Sequence, residues 1–204
     1  MQACRLAALD LACRRGDRVL FRGLSFALAP GEALHLAGPN GIGKSSLIRI
    51  LAGLLRAFGG TVTRAGALAL ADERPALDGH LPLGRALDQW RKFDCASATT
   101  LDAAIATLGL GDLLDVPVRY LSTGQRKRAA LARIVLAGAP VWLLDEPLNG
   151  LDSATTRAVE RLVAKHIADG GIAVVASHQP FALAGMARLQ LGEFAPAPAD
   201  VIDA

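Results

Sequence analysis

The sequence is poor in aromatic residues: phenylalanine, tryptophan and tyrosine together make up 4% of its 204 residues. Stacking platforms for single-stranded nucleic acid are therefore scarce. It also lacks an excess of one charge. Twenty-two basic residues against 19 acidic ones leave a net charge of +3, too mild for a polyanion-binding surface, so no nucleic-acid partner is expected. The three cysteines, Cys4, Cys13 and Cys95, stand at scattered spacings. That argues against a disulfide framework or a thiolate metal site and reads as thiols in a reducing compartment. Long apolar runs are missing too. The longest candidate, Ala129 to Leu144, is broken by Arg133, Gly138 and Pro140, short of the ~18 residues a spanning helix requires. A charged-then-apolar leader is not expected, because Asp10, Arg14 and Arg15 interrupt the start. The expectation is a chain that stays in the cytoplasm unless a partner holds it at a membrane.

What is present is a folded composition, 52% hydrophobic and 20% charged, of a length suited to one domain. Its organising stretch is residues 38–46: Gly38, Pro39, Asn40, Gly41, Ile42, Gly43, Lys44, Ser45 and Ser46. Gly38, Gly43, Lys44 and Ser45 fit the phosphate-binding pattern G-x-x-x-x-G-K-[ST]. Ala33 to Ala37 reads as a strand before it and Leu47 to Leu51 as a helix after it. Backbone N–H groups of such a loop point at phosphate oxygens, and the helix N-terminus adds partial positive charge. Lys44 supplies a point charge for β- and γ-phosphates, and Ser45 a hydroxyl for Mg²⁺. The alternative, a glycine-rich turn that binds nothing, is disfavoured by the full match between strand and helix.

The order of elements predicts an α/β fold. Residues 3–12 read as an edge strand, Val19 to Ala29 as a second strand, and Gly59-Gly60 as a break. Thr61 to Thr63 and Ala67 to Ala71 follow as short strands. Helices over Leu81 to Phe93 and Thr99 to Leu108 form an insert, and Thr123 to Leu136 is a helix with a basic start. Val141 to Leu144 and Ile172 to Ala176 are wholly apolar, as strands buried in a parallel sheet are. Asp152 and Ser153 cap a helix running to about Ala168. A short helix near 180–186 and a strand over Arg188 to Phe194 close the chain.

Asp145 and Glu146 end an apolar strand, at the carboxyl edge where ligands of such sheets bind. Asp145 can hold Mg²⁺, and Glu146 can polarise the attacking water as a general base. Ser122 and the N–H groups around Gly124 offer a second anion site at a helix start.

The loop at 38–45, the pentapeptide Leu121-Ser122-Thr123-Gly124-Gln125, the strand 141–146 and His178 together resemble the ATP-binding subunits of ABC transporters. The resemblance covers nearly the whole chain, and the pentapeptide is its most specific part. It implies a P-loop NTPase core with a predominantly parallel sheet, N-terminal antiparallel strands and a helical subdomain. One domain over 1–204 is expected, with the core at about 1–71 and 128–204 and the subdomain at about 72–127. It also implies ATP and Mg²⁺ as ligands and a homodimer, each ATP lying between the phosphate loop of one subunit and the signature of the other. Ser122, Thr123, Gly124 and Gln125 would then face the partner's ATP, Asp152 of the D-loop would sit at the interface, and His178 would contact the γ-phosphate. Two departures stand out. Where the family carries a glutamine, the chain has Ala71-Asp72-Glu73-Arg74-Pro75, so Glu73, or Asp72, takes the Mg²⁺-sensing place. The aromatic that stacks on adenine is missing near 13–16, leaving Arg14 or Arg15 as candidates.

Within the family, Phe21 to Phe26, Gly31 to Leu34, Gly170-Gly171-Ile172 and Ser177-His178-Gln179-Pro180 resemble the ATP-binding subunits of the bacterial cytochrome c maturation system. That implies a membrane permease partner, a peripheral place on the cytoplasmic face of the inner membrane and a role in haem delivery. Readings left open are a small ABC transporter with another cargo, a soluble ABC ATPase, a metabolite kinase, and a site that only binds ATP.

Overall fold

The computed structural model describes residues 4–72 and 76–196. Two sheets form within them. The first is antiparallel, in the order β2 (Arg18–Leu28), β1 (Arg5–Arg15), β4 (Gly59–Ala65). The second is parallel throughout. Its order is β5 (Leu68–Ala71), β6 (Val141–Asp145), β7 (Ile172–Ser177), β3 (Ala33–Ala37), β8 (Ala187–Gln190). The helices are α1 (Lys44–Ala52), α2 (Leu83–Phe93), α3 (Ala98–Thr107), α4 (Thr123–Ala137) and α5 (Ser153–Ala168).

The alternation of side chains along a strand divides the core in two. Val141, Leu143, Ile172, Val174 and Leu36 face β1, β2 and α1, where Leu11, Phe21, Leu24 and Ile48 are fully buried. Trp142, Leu144, Ala173 and Val175 face the other way, onto α4 and α5. Both faces of β6 and β7 are covered, so these strands are apolar at every step up to Leu144 and Ala176, as parallel strands between two layers must be. Each fully buried leucine, isoleucine or phenylalanine contributes about 1.5–3 kcal/mol to that packing. The helices α2, α3 and α4 pack on one another beside the second layer.

Four local expectations are corrected. β1 is the middle strand of its sheet rather than an edge, because β4 pairs along its other side. β4 also begins at Gly59, opposite a bulge in β1, so the glycine pair starts a strand instead of breaking the chain. No helix forms over 180–186. The N–H of Ala182 donates to the Glu160 carboxylate on α5, and single turns join Phe181 to Leu183 and Leu183 to Met186. A segment this short does not nucleate a helix against such competition. Finally, the last strand stops at Gln190. Residues Leu191–Phe194 turn as a 3₁₀ helix that sinks Leu191 into the core against β2.

Candidate active site

The carboxyl ends of β3, β6 and β7 meet at one edge of the parallel sheet. β3 lies beside β7, with Ala37 opposite Ser177, and β7 lies beside β6, with Ala176 opposite Asp145. The loop after β3 therefore shares that edge with Asp145-Glu146 and with His178.

The loop 38–43 reaches α1 through Gly43, at φ 115°. A side chain there would press on Leu20 and Phe21 at 3.3 Å, so both the backbone angle and the β2 packing call for glycine. Pro39, Asn40 and Gly41 are exposed, as is Ser45 in the first turn of α1. Lys44 is buried at 5% exposure. Its ammonium donates to the carbonyls of Gly38 at 2.8 Å and Pro39 at 3.2 Å, and lies 3.3 Å from Glu146 Oε1. The other carboxylate oxygen, Oε2, is 3.0 Å from His178 Nδ1. Lys44, Glu146 and His178 thus form one contiguous cluster. Asp145, immediately before, is buried. A buried lysine, an exposed hydroxyl at Ser45 and a buried carboxylate at Asp145 suit a triphosphate with a hard cation.

Ser122 caps α4. Its hydroxyl accepts from the N–H of Gln125 at 3.2 Å, while the Gln125 side-chain oxygen accepts from the N–H of Ser122 at 2.8 Å. This reciprocal capping box presents Ser122 and Thr123 to solvent. Gly124 faces inward, where a Cβ would stand 2.5 Å from the carbonyl oxygen of Gly150. Asp152 caps α5, accepting from the N–H of Thr155 at 2.8 Å. That bond, made to the ionised form, holds its carboxyl below the usual range.

Other expected residues are placed as follows. Arg49 on α1 pairs with Asp72 at the end of β5, at 3.6 Å. Glu73 lies outside the described residues. Arg14 lies 4.7 Å from the centre of the Phe58 ring, so part of its guanidinium is covered within the chain.

Residues 21–149 match the family described as ABC transporter. The chain belongs to that family. As an ABC protein it is an ATP-binding, ATP-hydrolysing subunit. It is 61% identical over 196 residues to the cytochrome c biogenesis ATP-binding export protein CcmA of Novosphingobium aromaticivorans, covering 96% of this chain and 100% of that one. It is 51% identical to the protein of the same description from Sphingopyxis alaskensis, covering 93% and 98%. Among solved structures, an ABC transporter ATP-binding protein from Pyrococcus furiosus superposes with a TM-score of 0.81 at 19% identity, covering 94% of this chain and all of that one, which shows the shared fold. No helix among the described residues is long and apolar enough to cross a membrane.

Two contacts of this ABC site escape the sequence reading. One is the approach of Gly124 to Gly150. The other is Lys127 on α4, whose ammonium donates to the backbone carbonyl of Glu146. The capping box was not read from the sequence either, although Ser122 and Gln125 stand at the S-x-x-Q spacing that marks one. Nothing in the local pattern pointed to Lys127.

Proposed function

We propose that the chain hydrolyses ATP to energise a membrane permease in c-type cytochrome biogenesis, serving haem delivery or export. The observation that carries this is the likeness, over almost the full length of both chains, to the protein of Novosphingobium aromaticivorans. On this reading the subunit works as a homodimer, peripheral to the cytoplasmic face of the bacterial inner membrane, with a permease of the cytochrome c maturation system as partner. The domain is single, with its core at about 1–71 and 128–204 and a helical subdomain at about 72–127. The helix α4 runs unbroken across that boundary and joins the two parts.

Each side chain has an assigned task. The loop from Gly38 to Ser46 cradles the phosphates, and Lys44 exchanges its loop carbonyls for phosphate oxygens. Mg²⁺ would be held by Ser45 and Asp145, with Glu73 as a further candidate, and would supply neutralising charge. Glu146 takes the proton of the attacking water, oriented by His178 at 3.0 Å. Ser122, Thr123, Gly124 and Gln125 meet the ATP of the partner subunit, and Asp152 lies at the interface. Closing the dimer excludes water and strengthens each of these contacts.

Two measurements test the proposal. Glu146→Gln is expected to lower turnover by roughly 100- to 10,000-fold while retaining ATP; near-normal turnover would remove Glu146 as the base. Tagged Glu146→Gln protein, pulled from its own bacterium's membranes with ATP present, is expected to bring down a cytochrome c maturation permease. A different permease would overturn the biological role and leave the chemistry standing.

A further inference from the structure

Glu146 has φ 48°, in the left-handed region that a side chain disfavours. Contacts from two neighbouring elements hold its backbone there. Its N–H donates to the carbonyl of Ala176 on β7 at 2.8 Å. Its carbonyl accepts from the ammonium of Lys127, in the second turn of α4. The N–H of Asn149 also donates to that carbonyl, at 3.3 Å. One turn earlier on the same helix, Gly124 meets the carbonyl of Gly150 with no room for a Cβ. The segment 146–150 is therefore tied to α4 at one end and pressed on it at the other.

We propose that Lys127 is a positioning residue for ATP hydrolysis, fixing the Glu146 peptide so that its carboxylate faces Lys44 and His178. This rests on the reading of Glu146 as the base. The chemistry of Lys127 suits the task. A charged donor holds a carbonyl more strongly than a neutral one, and its long stem lets a half-buried residue reach across from a separate element. Its place adds a second consequence. The first turn of α4 carries the signature that faces the partner's nucleotide, whereas Glu146 serves its own subunit. Lys127 makes those two a single mechanical unit, so a displacement of α4 on engaging one ATP moves the base beside the other.

The test is a double-mutant cycle on the full chain, read by steady-state hydrolysis and by equilibrium binding of a fluorescent ATP analogue. Lys127→Met is expected to lower kcat by about 10- to 100-fold, the scale of a small misplacement, with the nucleotide Kd held within about twofold. Lys127→Arg, which keeps a charged donor, is expected to restore most of the rate. In a Glu146→Gln background, Lys127→Met should lower the rate no further, because Lys127 acts through Glu146. If the two losses multiply, or if Kd weakens in step with kcat, the proposal is overturned. Glu146→Gln alone separates the layers: near-normal turnover there refutes the base assignment itself and the positioning role with it. Should Lys127→Met not fold, Lys127→Gln carries the same cycle.

Discussion

Adding one methyl group at Gly124 measures how tightly the signature helix and the loop after β6 are pressed together. A Cβ at this position would lie 2.5 Å from the Gly150 oxygen, 3.5 Å from the Gly150 carbonyl carbon and 3.7 Å from Leu151 Cδ2. An unstrained contact needs about 3.5 Å, so one backbone must retreat by about 1 Å. Neither can do so freely. Gly124 belongs to the capped first turn of α4, and Gly150 sits two residues before the cap of α5. Overpacking of this kind costs about 1–3 kcal/mol, offset by up to about 1 kcal/mol from replacing glycine in a helix. Taken at the centre of those ranges, the net loss of about 1.5 kcal/mol corresponds to a Tm lowered by about 3–6 °C in a chain of this size. Gly111→Ala is the matched control, since a Cβ there meets nothing within 4 Å and its φ is not positive. Thermal melts by circular dichroism are the assay. Gly124→Ala is expected to melt clearly below Gly111→Ala; equal melting temperatures would refute the close approach and the coupling built on it.

Two further outcomes are expected. Ser122→Asp should melt within a few degrees of the parent, because aspartate caps as well as serine, yet lose about 100-fold or more in hydrolysis, because a carboxylate has no proton to offer a phosphate. Ser122→Ala, by contrast, should lose both, with about 1 kcal/mol of stability going with the cap. The third outcome concerns pH. Burial pushes the imidazoles of His35 and His166 down, so the folded protein resists protons that the unfolded chain accepts near its ordinary value of about 6.5. The unfolded state then binds more protons below about pH 6.5, and stability falls as pH drops through that value. Melts at pH 7.5 and 5.5 should differ in that direction, and a flat profile would contradict a neutral imidazole at buried His35 and half-buried His166.

Much of this architecture was legible in the sequence, for reasons that can be named. β6 as far as Leu144 and β7 as far as Ala176 are apolar at every position because two layers cover them, a pattern few other elements share. Asp152 and Gly43 mark helix starts through chemistry local to the chain. The misreadings are equally physical. Residues near 180–186 carry helix-forming alanine and leucine, but the Glu160 side chain claims a backbone N–H from 22 residues away. Which strand lies between two others depends on pairing with β4, about 50 residues downstream of β1, which alternation alone does not encode. Lys127 reads as one more basic residue on a helix surface until Glu146 is brought beneath it by the sheet.

The pairing of β3 has a consequence for how the chain is made. On the ribosome, Ala37 emerges long before Ser177, its partner across β7, and longer still before Gln190 on β8. At about 5–20 residues per second, roughly 7 to 28 seconds separate the phosphate loop from the first strand that flanks it. Throughout that interval the nucleotide loop has no sheet edge to stand on, and nascent chains halted before residue 172 cannot assemble one. The phosphate loop therefore gains its flanking strands only when the last part of the chain has been made.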